Sequence, residues 1–441
     1  MPSVDNFDKK TAKSSLEFIS AFLPQRREDI DCASFAENDF SRERKLSLPV
    51  TIALIINMVR PGKRFGYQEV INRFYSDTGL AHDKGIEPPD KSAFSRARKK
   101  LPLGVLSELF RKAADKAVGL AATLGGSTWK GHRVLAIDGT KKNMPHSEQL
   151  AESYGVPHGA HYPQMLACAL YDVLAKIPVN VMWGDYTTSE RALALELIEE
   201  LGAGDLVLLD RGYPGFELFE KMLRQGVDFL VRLPDNGLFR AIKEFLAKGH
   251  RDGLVTLRPS EELVRQRLNS GQTAPAPLQL RVVKVRTPGH KTALFVTSLT
   301  DRATYPLRSL RELYHLRWEE EEFYKLIKEL LEAENFRGKS DLFIDQEVMA
   351  IYLYCLLTRI MMMEAALRHG IPASELCQQA AFMAVTRFVD KIWVSKTVDE
   401  CERWLTMCLT EISWHRYRKR PNRSFPRQSK RSYGKWGRGR A

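Results

Sequence analysis

Residues 134–138 (Val-Leu-Ala-Ile-Asp) form a short apolar run that ends in an acid, and residues 206–210 (Leu-Val-Leu-Leu-Asp) repeat the pattern. Such runs predict buried strands, and helical patterns follow them along the chain. After the first strand, the predicted elements are strands at 165–173 and 177–183, a helix at 189–201, a strand at 206–210, a helix at 215–224 and a strand at 229–232. This alternation predicts an α/β fold with the element order of a ribonuclease-H-like core.

The segments around this core have other patterns. Apolar residues at three-to-four spacing predict helices before the boundary Gly125-Gly126-Ser127, and one long helix is predicted from Leu307 to about Glu334. The predicted organisation is a helical N-terminal region (1–126), the first part of the core (127–232), a β-rich insertion (233–300), the second part of the core with the long helix (301–345), a C-terminal helical region (346–415) and a basic flexible tail (416–441).

The charge of the chain is concentrated at one end. The whole sequence has 67 Lys and Arg against 54 Asp and Glu, a net charge of +13. Residues 416–441 hold eleven basic side chains and no acid, so the first 415 residues carry 56 basic and 54 acidic side chains. A polycationic tail interleaved with aromatic residues indicates a polyanionic partner, with a solvated tail of no fixed role as the alternative.

Composition excludes several classes of protein. The hydrophobic fraction of 44% is that of an ordinary folded protein, and the six cysteines include no C-x-x-C pair that would indicate a zinc site. The first residues have no apolar signal-peptide core, and the apolar run 348–357 is too short to span a bilayer, so we expect it to be a buried helix. The predicted location is the cytoplasm, in association with the nucleoid.

Asp138 and Asp210 each end a predicted buried strand. Burying a charge costs several kcal/mol unless something compensates it, and two acids on neighbouring strands repel each other unless a divalent cation lies between them. The pair therefore predicts a metal site. The alternative is that each aspartate caps the turn that follows it.

The long helix offers a third acid. At about 100° per residue, Tyr314, Arg317, Glu321 and Lys328 share one narrow stripe, whereas the neighbouring acids of the Glu319–Glu322 run lie off it. We therefore predict Glu321 as the third metal ligand, beside a phenol and two cations suited to phosphate groups. An exposed helix with ion pairs is the alternative.

A basic helix precedes the core. The segment Asp90–Leu101 follows a turn, and its Arg96, Lys99 and Lys100 lie on or near one face, which predicts DNA contact by a helix-turn-helix-like unit. An ordinary surface helix is the alternative. Arg211, directly after the second aspartate, is a further predicted DNA contact, with structural packing as the alternative.

These motifs together resemble a known family. The spacing Tyr314-x2-Arg317-x3-Glu321-x6-Lys328 matches the Tyr-Arg-Glu-Lys signature of the DDE transposases in the IS-four family of bacterial insertion sequences. Asp-Gly-Thr at 138–140 and Asp-Arg-Gly-Tyr at 210–213 resemble that family's two aspartate motifs. The resemblance covers residues 127–339, and the N-terminal helices match more loosely.

The resemblance implies a reaction and its partners. Asp138, Asp210 and Glu321 would hold two Mg²⁺ ions, for which Mn²⁺ can substitute, in an endonuclease that cuts and joins DNA during transposition, by a cut-and-paste route. Tyr314, Arg317 and Lys328 would hold the DNA backbone. The implied partners are transposon-end inverted repeats and target DNA, and the implied assembly is a homodimer in a synaptic complex, with hairpin ends expected and no membrane.

Other functions have weaker support. A haloacid-dehalogenase-type phosphatase requires a nucleophilic Asp two positions before Asp138, where this chain has Ala136. A metal site at His158 and His161 lacks a third ligand nearby. A catalytically silent or domesticated transposase would be expected to lack one of the acids, and none is lost. A ribonuclease-H-fold nuclease without strand transfer remains an alternative that only substrates distinguish.

Overall fold

The computed structural model describes residues 35–36, 39–41, 44–61, 66–83, 85–286, 292–331, 335–395 and 397–417. In these parts the strands are β1 (Arg133–Asn143), β2 (Gln164–Asp172), β3 (Ile177–Asp185), β4 (Asp205–Leu209), β5 (Asp228–Leu233), β6 (Asp252–Leu257), β7 (Leu278–Arg286) and β8 (Thr292–Thr297). The helices of the N-terminal region are α1 (Leu48–Met58), α2 (Tyr67–Asp77), α3 (Leu80–Asp83), α4 (Lys91–Lys99) and α5 (Leu103–Leu124).

The remaining helices lie between and after the strands. Those within the α/β region are α6 (Glu148–Tyr154), α7 (Glu190–Ile198), α8 (Phe216–Arg224), α9 (Arg240–Ala247), α10 (Glu261–Asn269), α11 (Leu307–His315) and α12 (Trp318–Glu329). Those of the C-terminal region are α13 (Asp341–His369), α14 (Gln378–Val394) and α15 (Val398–Trp414). Of the predicted basic tail, all but residues 416 and 417 lie outside the described residues.

The strands form one mixed sheet in the order β3-β2-β1-β4-β5-β8-β7-β6. Strand β2 pairs antiparallel with both β1 and β3, whereas β1, β4 and β5 run parallel to one another. The α/β prediction is confirmed, and the order and directions of β1–β5 agree with the ribonuclease-H-like arrangement that the sequence predicts. Parallel strands place their carboxyl ends at the same edge of a sheet, which brings the ends of β1 and β4 together.

Strand β1 is longer than predicted. The prediction ended it at Asp138, but it continues to Asn143 because β2 pairs with it antiparallel over that whole extension, up to Asn143 opposite Gln164. Its parallel neighbour β4 ends at Leu209. Asp138 therefore lies inside β1 but beyond the point at which β4 covers the edge of β1.

The segment predicted as a β-rich insertion contributes strands to the same sheet. Strands β6, β7 and β8 pair antiparallel with one another, and β8 pairs with β5, so they extend the core sheet at its β5 edge. Two helices, α9 and α10, accompany them and were not predicted. The central residues of β7, from Leu280 to Val283, are all buried, as expected for a strand with both faces covered.

Two apolar cores lie on the two faces of the sheet. Val134 and Ala136 of β1 belong to the larger core, together with α1, α2, α5 and the C-terminal helices, whereas Leu135 and Ile137 belong to the smaller core with α7 and α8. This is the alternation of side chains along a strand. The two faces of β1 are therefore both buried, as expected for a central strand.

Helix α13 is the central element of the larger core. It is long and apolar enough to cross a membrane by length and composition, but 94% of its most apolar window is buried inside the protein. Residues 348–357, predicted as a buried helix, lie within it, and that prediction is confirmed. Its neighbours include α1, α5, α14, α15 and strand β3.

The prediction of one long helix over 307–334 was wrong. Helix α11 ends at His315 and α12 begins at Trp318, and the junction is tightened by i−3 hydrogen bonds, from Leu316 N to Leu313 O and from Arg317 N to Tyr314 O. Tight turns of this 3₁₀ type interrupt the regular helical hydrogen-bond ladder while keeping the chain direction. Residues 332–334 lie outside the described residues.

Candidate active site

The two strand aspartates lie on adjacent parallel strands. Ala136 pairs with Leu208, and Asp138 and Asp210 follow each of them by two residues. Residues two apart on a strand face the same side, so the two carboxylates are set side by side on the face that holds the larger core. Their proximity is visible in the electrostatics, because the charge of Asp210 raises the pKa of Asp138.

Each aspartate also uses one oxygen locally. Asp138 Oδ1 accepts from Gly139 N at 3.0 Å, and Asp210 Oδ1 accepts from Gly212 N at 2.7 Å. The capping contacts that were the alternative interpretation are thus present. One oxygen of each carboxylate is used in this way, and capping and metal binding by the second oxygen are compatible.

Helix α12 brings Glu321 towards Asp138 through a shared cation. Arg317 donates to Glu321 through Nη2, and its Nη1 lies 3.7 Å from Asp138 Oδ2. The indole Nε1 of Trp318 donates to the second oxygen of Glu321. The Arg317 side chain is 13% exposed and stands between acids from two different elements. The break between α11 and α12 therefore leaves the predicted Arg317–Glu321 contact intact.

Burial shapes the chemistry of Asp138. Desolvation raises its pKa to about 6, the guanidinium of Arg317 and the Gly139 amide oppose this shift, and the charges of Asp210 and Glu190 add to it. A carboxylate that is costly to ionise in the bare protein gains more than a solvated one from a nearby cation. A divalent metal ion bound beside Asp138 would stabilise its ionised form and offset the cost of burial.

Glu190, the first residue of α7, is a neighbour that the sequence analysis missed. A Cβ at Gly139 would lie 2.9 Å from three atoms of the Glu190 side chain, so a larger residue at 139 would require this acid to shift. An Asp-Gly pair followed by a helix-initial acid is a weak signal, which explains why the sequence alone did not identify it.

Glu320 neighbours Glu321 on α12 but has a different environment. It lies off the stripe as predicted, but it is fully buried, and neither carboxylate oxygen has a hydrogen-bond partner among the described residues. Desolvation and the charge of Asp138 raise its pKa well above the ordinary value. Glu320 is therefore a buried acid of the protein interior that lies close enough to Asp138 to feel its charge.

Tyr314 and Lys328 complete the stripe that the sequence predicts. The Tyr314 ring packs on Phe295 with centroids 4.6 Å apart, and the guanidinium of Arg317 lies 5.9 Å from its centroid. Tyr314 thus packs beside the guanidinium of Arg317. Lys328 is exposed near the end of α12, two turns beyond Glu321.

The predicted DNA-contact residues outside the centre are exposed. Arg96 and Lys99 lie on the surface of α4, whose N-terminus is capped by Asp90. Lys100 follows the helix directly, is also exposed, and pairs with Asp39 at 2.8 Å. Arg211 is exposed after β4.

Two residues beside these positions are buried. Tyr213, the last residue of the second aspartate motif, is only 1% exposed and packs in the smaller core. The burial of Arg98 was not predicted: its side chain is fully buried in contact with α13.

The donor set fits a hard divalent cation, although it is not preassembled. Carboxylate oxygens are the ligands that Mg²⁺ and Mn²⁺ take in proteins, and Asp138 and Asp210 present them side by side. Across the described residues, no three acidic, histidine or cysteine side chains converge closely enough to hold an ion, because Arg317 lies between Asp138 and Glu321. His158 and His161 are exposed loop residues without a third ligand.

Comparison with known proteins gives consistent matches. The family model described as "Transposase DDE domain" matches residues 129–357, more than half of the chain. The transposase InsG for insertion sequence element IS4 of Escherichia coli (strain K12) is 27% identical over 335 residues, covering 74% of this chain and 72% of that protein. The transposase for insertion sequence element IS231F of Bacillus thuringiensis subsp. israelensis is 24% identical over 264 residues, covering 50% of this chain and 54% of that protein.

Among solved structures, the piggyBac transposase synaptic complex with hairpin DNA aligns over 91% of this chain and 85% of that chain, with a TM-score of 0.45 and 11% identity. The family match alone spans the aspartate strands, the sheet extension and helix α12. The chain therefore belongs to the transposase DDE domain family.

Proposed function

We propose that this protein is the transposase of an insertion sequence, which binds the terminal inverted repeats of its element and cuts and rejoins DNA in a metal-dependent reaction. The observation that carries the proposal is the register of β1 and β4, which sets Asp138 beside Asp210, with Glu321 joined to the pair through Arg317. The family membership and the two insertion-sequence relatives support the same reaction class.

Asp138, Asp210 and Glu321 would hold two Mg²⁺ ions, or Mn²⁺ in their place, which supply Lewis-acid activation of water or a DNA 3′-hydroxyl and stabilise the leaving oxygen. The residues around these acids would bind the DNA. Arg317 and Lys328 are cations suited to the backbone phosphates of the terminal nucleotides, and Tyr314 orients Arg317 by packing under it. Arg211 extends the basic surface next to Asp210.

The exposed basic residues of α4 are proposed to contact the repeat DNA beyond the cleavage point. Arg96 and Lys99 stand on one exposed face, and the helix is anchored on its other face by Phe94 and Arg98. A rigidly held helix with a basic outer face suits phosphate contacts that set the register of the protein on the duplex. We further propose a homodimer that pairs two element ends, acting in the cytoplasm at the nucleoid.

The test uses purified full-length protein, Mg²⁺ and linear DNA that carries the inverted repeats flanking its own gene. Asp138→Asn, Asp210→Asn and Glu321→Gln should each abolish cleavage and leave binding of the repeats within about twofold, since binding rests on other contacts. Glu322→Gln is the matched control, because Glu322 neighbours Glu321 but is exposed and paired with Lys325. It should cleave normally.

The products distinguish the alternatives. Nicked or hairpin ends together with joined products support transposition by cutting and strand transfer. Cleavage without any joining, under conditions that supply target DNA, would replace the proposal with a nuclease. Repeat binding without cleavage by the unmodified protein would indicate a catalytically silent transposase.

A further inference from the structure

One tyrosine connects helix α12 to the backbone of the first aspartate. The hydroxyl of Tyr324 donates to the carbonyl oxygen of Asp138 at 2.6 Å and accepts from the backbone N–H of Ala169 at 3.1 Å. Asp138 and Ala169 are directly opposite each other in the β1–β2 ladder. The hydroxyl therefore bridges the two strands at the rung that carries Asp138.

The packing of α12 explains how the hydroxyl reaches the backbone. The preceding residue, Phe323, stacks on Tyr171 of β2 with ring centroids 4.6 Å apart, which fixes the helix against the sheet. Ala169 is fully buried and has only a methyl side chain, so the tyrosine ring can approach the strand. A bulkier residue at 169 would fill the space between the helix and the strand.

Tyr324 and Glu321 lie on the same helix, one turn apart. The distance along the chain is three residues, so both project towards the sheet from neighbouring positions on the helix surface. Glu321 is linked to the Asp138 side chain through Arg317, whereas Tyr324 is linked directly to the Asp138 main chain. Two acids from different elements are thus held to one another by two separate connections.

We propose that Tyr324 is a positioning residue for the catalytic centre: its hydroxyl sets the backbone of Asp138 relative to the helix that carries Glu321. This inference rests on the proposed metal-dependent cleavage. The hydroxyl gives its proton to one strand and accepts from the other, so its role is assigned through the backbone of these strands and not through the reacting atoms. Its effect is transmitted through the distance between the Asp138 and Glu321 carboxylates, and a misplacement of about 1 Å at a reacting centre costs about a hundredfold in rate.

The experiment compares Tyr324→Phe with Tyr352→Phe in the full-length protein. Tyr352 of α13 is fully buried, its ring centroid lies 6.1 Å from that of Phe323, and its hydroxyl has no hydrogen-bond partner among the described residues. It controls for the loss of a buried hydroxyl beside α12. Four quantities are measured: thermal midpoint, dissociation constant for repeat DNA, Mn²⁺ affinity by calorimetry without DNA, and single-turnover cleavage rate at saturating DNA.

For Tyr324→Phe we expect repeat binding within about twofold of the unmodified protein, Mn²⁺ affinity lowered severalfold, and cleavage slowed by about tenfold to a hundredfold. Raising Mn²⁺ should restore part of the rate. Tyr352→Phe should match the unmodified protein in all four measurements, because it loses no hydrogen bond.

Three results would overturn the inference. The first is a Tyr324→Phe protein with unchanged Mn²⁺ affinity and cleavage rate. The second is a thermal midpoint and repeat affinity that fall in parallel with cleavage, which indicates a purely structural role. The third is an equal loss of cleavage in Tyr352→Phe. Asp138→Asn is run beside them: if it cleaves normally, the proposed function itself fails, whereas its inactivity with a fully active Tyr324→Phe rejects the positioning role alone.

Discussion

The guanidinium of Arg317 lies 3.7 Å from the carboxylate of Asp138, measured from Nη1 to Oδ2. The same side chain donates to Glu321 through Nη2, so one cation balances two acids that come from a strand and a helix. It stands where a divalent ion held by those acids would place its own charge. Metal binding and the release of Arg317 towards a DNA phosphate are therefore expected to occur together.

Replacing Arg317 should separate these two effects. In Arg317→Ala, the carboxylates of Asp138 and Glu321 lose their compensating charge, so we expect Mn²⁺ affinity without DNA to rise by about tenfold, equivalent to about 1.4 kcal/mol. Repeat affinity should fall, because the substitution removes a cation that we propose to bind a DNA phosphate. Calorimetry measures the first quantity and gel-shift titration the second.

Arg308→Ala is the matched control for this substitution. Arg308 lies on α11, is exposed and pairs with Glu312, four residues away on the same helix. Both affinities should stay within about twofold of the unmodified protein. An Arg317→Ala protein that binds Mn²⁺ no better than this control would contradict the competition between guanidinium and metal.

Arg98 should be among the costliest positions to change outside the active site. Its side chain is fully buried, and it donates to Gln346, Glu347 and the carbonyl of Phe343 on α13 at 2.9–3.1 Å. Breaking a buried ion pair by removing one partner costs about 3–5 kcal/mol, so Arg98→Ala should lower the free energy of unfolding by that amount in urea titration.

Arg96→Ala tests the neighbouring surface of the same helix. Arg96 is exposed, so its loss should change the free energy of unfolding by no more than about 0.5 kcal/mol. Repeat affinity should nevertheless fall, and its dependence on salt should weaken. Equal stability losses in the Arg96 and Arg98 variants would be inconsistent with the burial of Arg98.

Ionisation of Asp172 should lower the free energy of unfolding as the pH rises. Burial raises the pKa of this carboxyl to about 6, although the amides of Leu174 and Ala175 donate to it. Because the folded state binds this proton more tightly than the unfolded chain, its contribution is full below about pH 4 and is lost as pH rises through about 6. Asp172→Asn keeps the acceptor oxygen and removes the ionisation.

The stability of Asp172→Asn relative to the unmodified protein should therefore increase by about 2 kcal/mol between pH 4 and pH 7.5. Asp185→Asn is the control, because the pKa of Asp185 is shifted in the opposite direction. Hydrogen bonds, first of all the one from the Thr187 side chain, lower the pKa of Asp185. The ionised Asp185 therefore stabilises the folded protein at neutral pH, and this stabilisation is lost as the pH falls below the ordinary pKa of aspartate. A flat pH profile for the Asp172 difference would refute the prediction.

Removing residues 418–441 should reduce the salt dependence of DNA binding. This segment carries ten basic side chains and no acid, and it lies outside the described residues. For every phosphate that the shortened protein no longer neutralises, the slope of log affinity against log salt falls by about 0.9. A protein with a Gly-Ser segment of equal length is the control for tail length, and an unchanged slope after deletion would show that the tail does not bind DNA.

The sequence was sufficient for the elements whose patterns are local. Apolar runs predicted the strands of the core, and the acids at 138 and 210 could be placed on neighbouring strands because the alternation of elements predicts their order. The buried helix at residues 348–357 followed from its apolar run and is confirmed. The assignment of Asp138, Asp210 and Glu321 as metal ligands stays a prediction.

Other features depend on contacts between distant parts of the chain. The extension of β1 past Asp138 requires β2 as its partner, and the break before Trp318 depends on tight turns that a fixed angle per residue does not capture. The burial of Arg98 contradicts the ordinary behaviour of arginine and follows only from α13 packing over it. No local pattern indicates the Tyr324 contact, because its acceptor is a main-chain carbonyl 186 residues away.

Helix α13 has a practical consequence for dissecting this protein into parts. It packs against α5 and α1 from the N-terminal region and against β3 of the sheet, within one continuous apolar core. A fragment that starts at residue 127 would expose the faces of α13 and β3 that now meet α5, and such a surface favours aggregation in a recombinant host. Exchanging the N-terminal region between relatives would therefore require exchanging the matching face of α13 along with the first 126 residues.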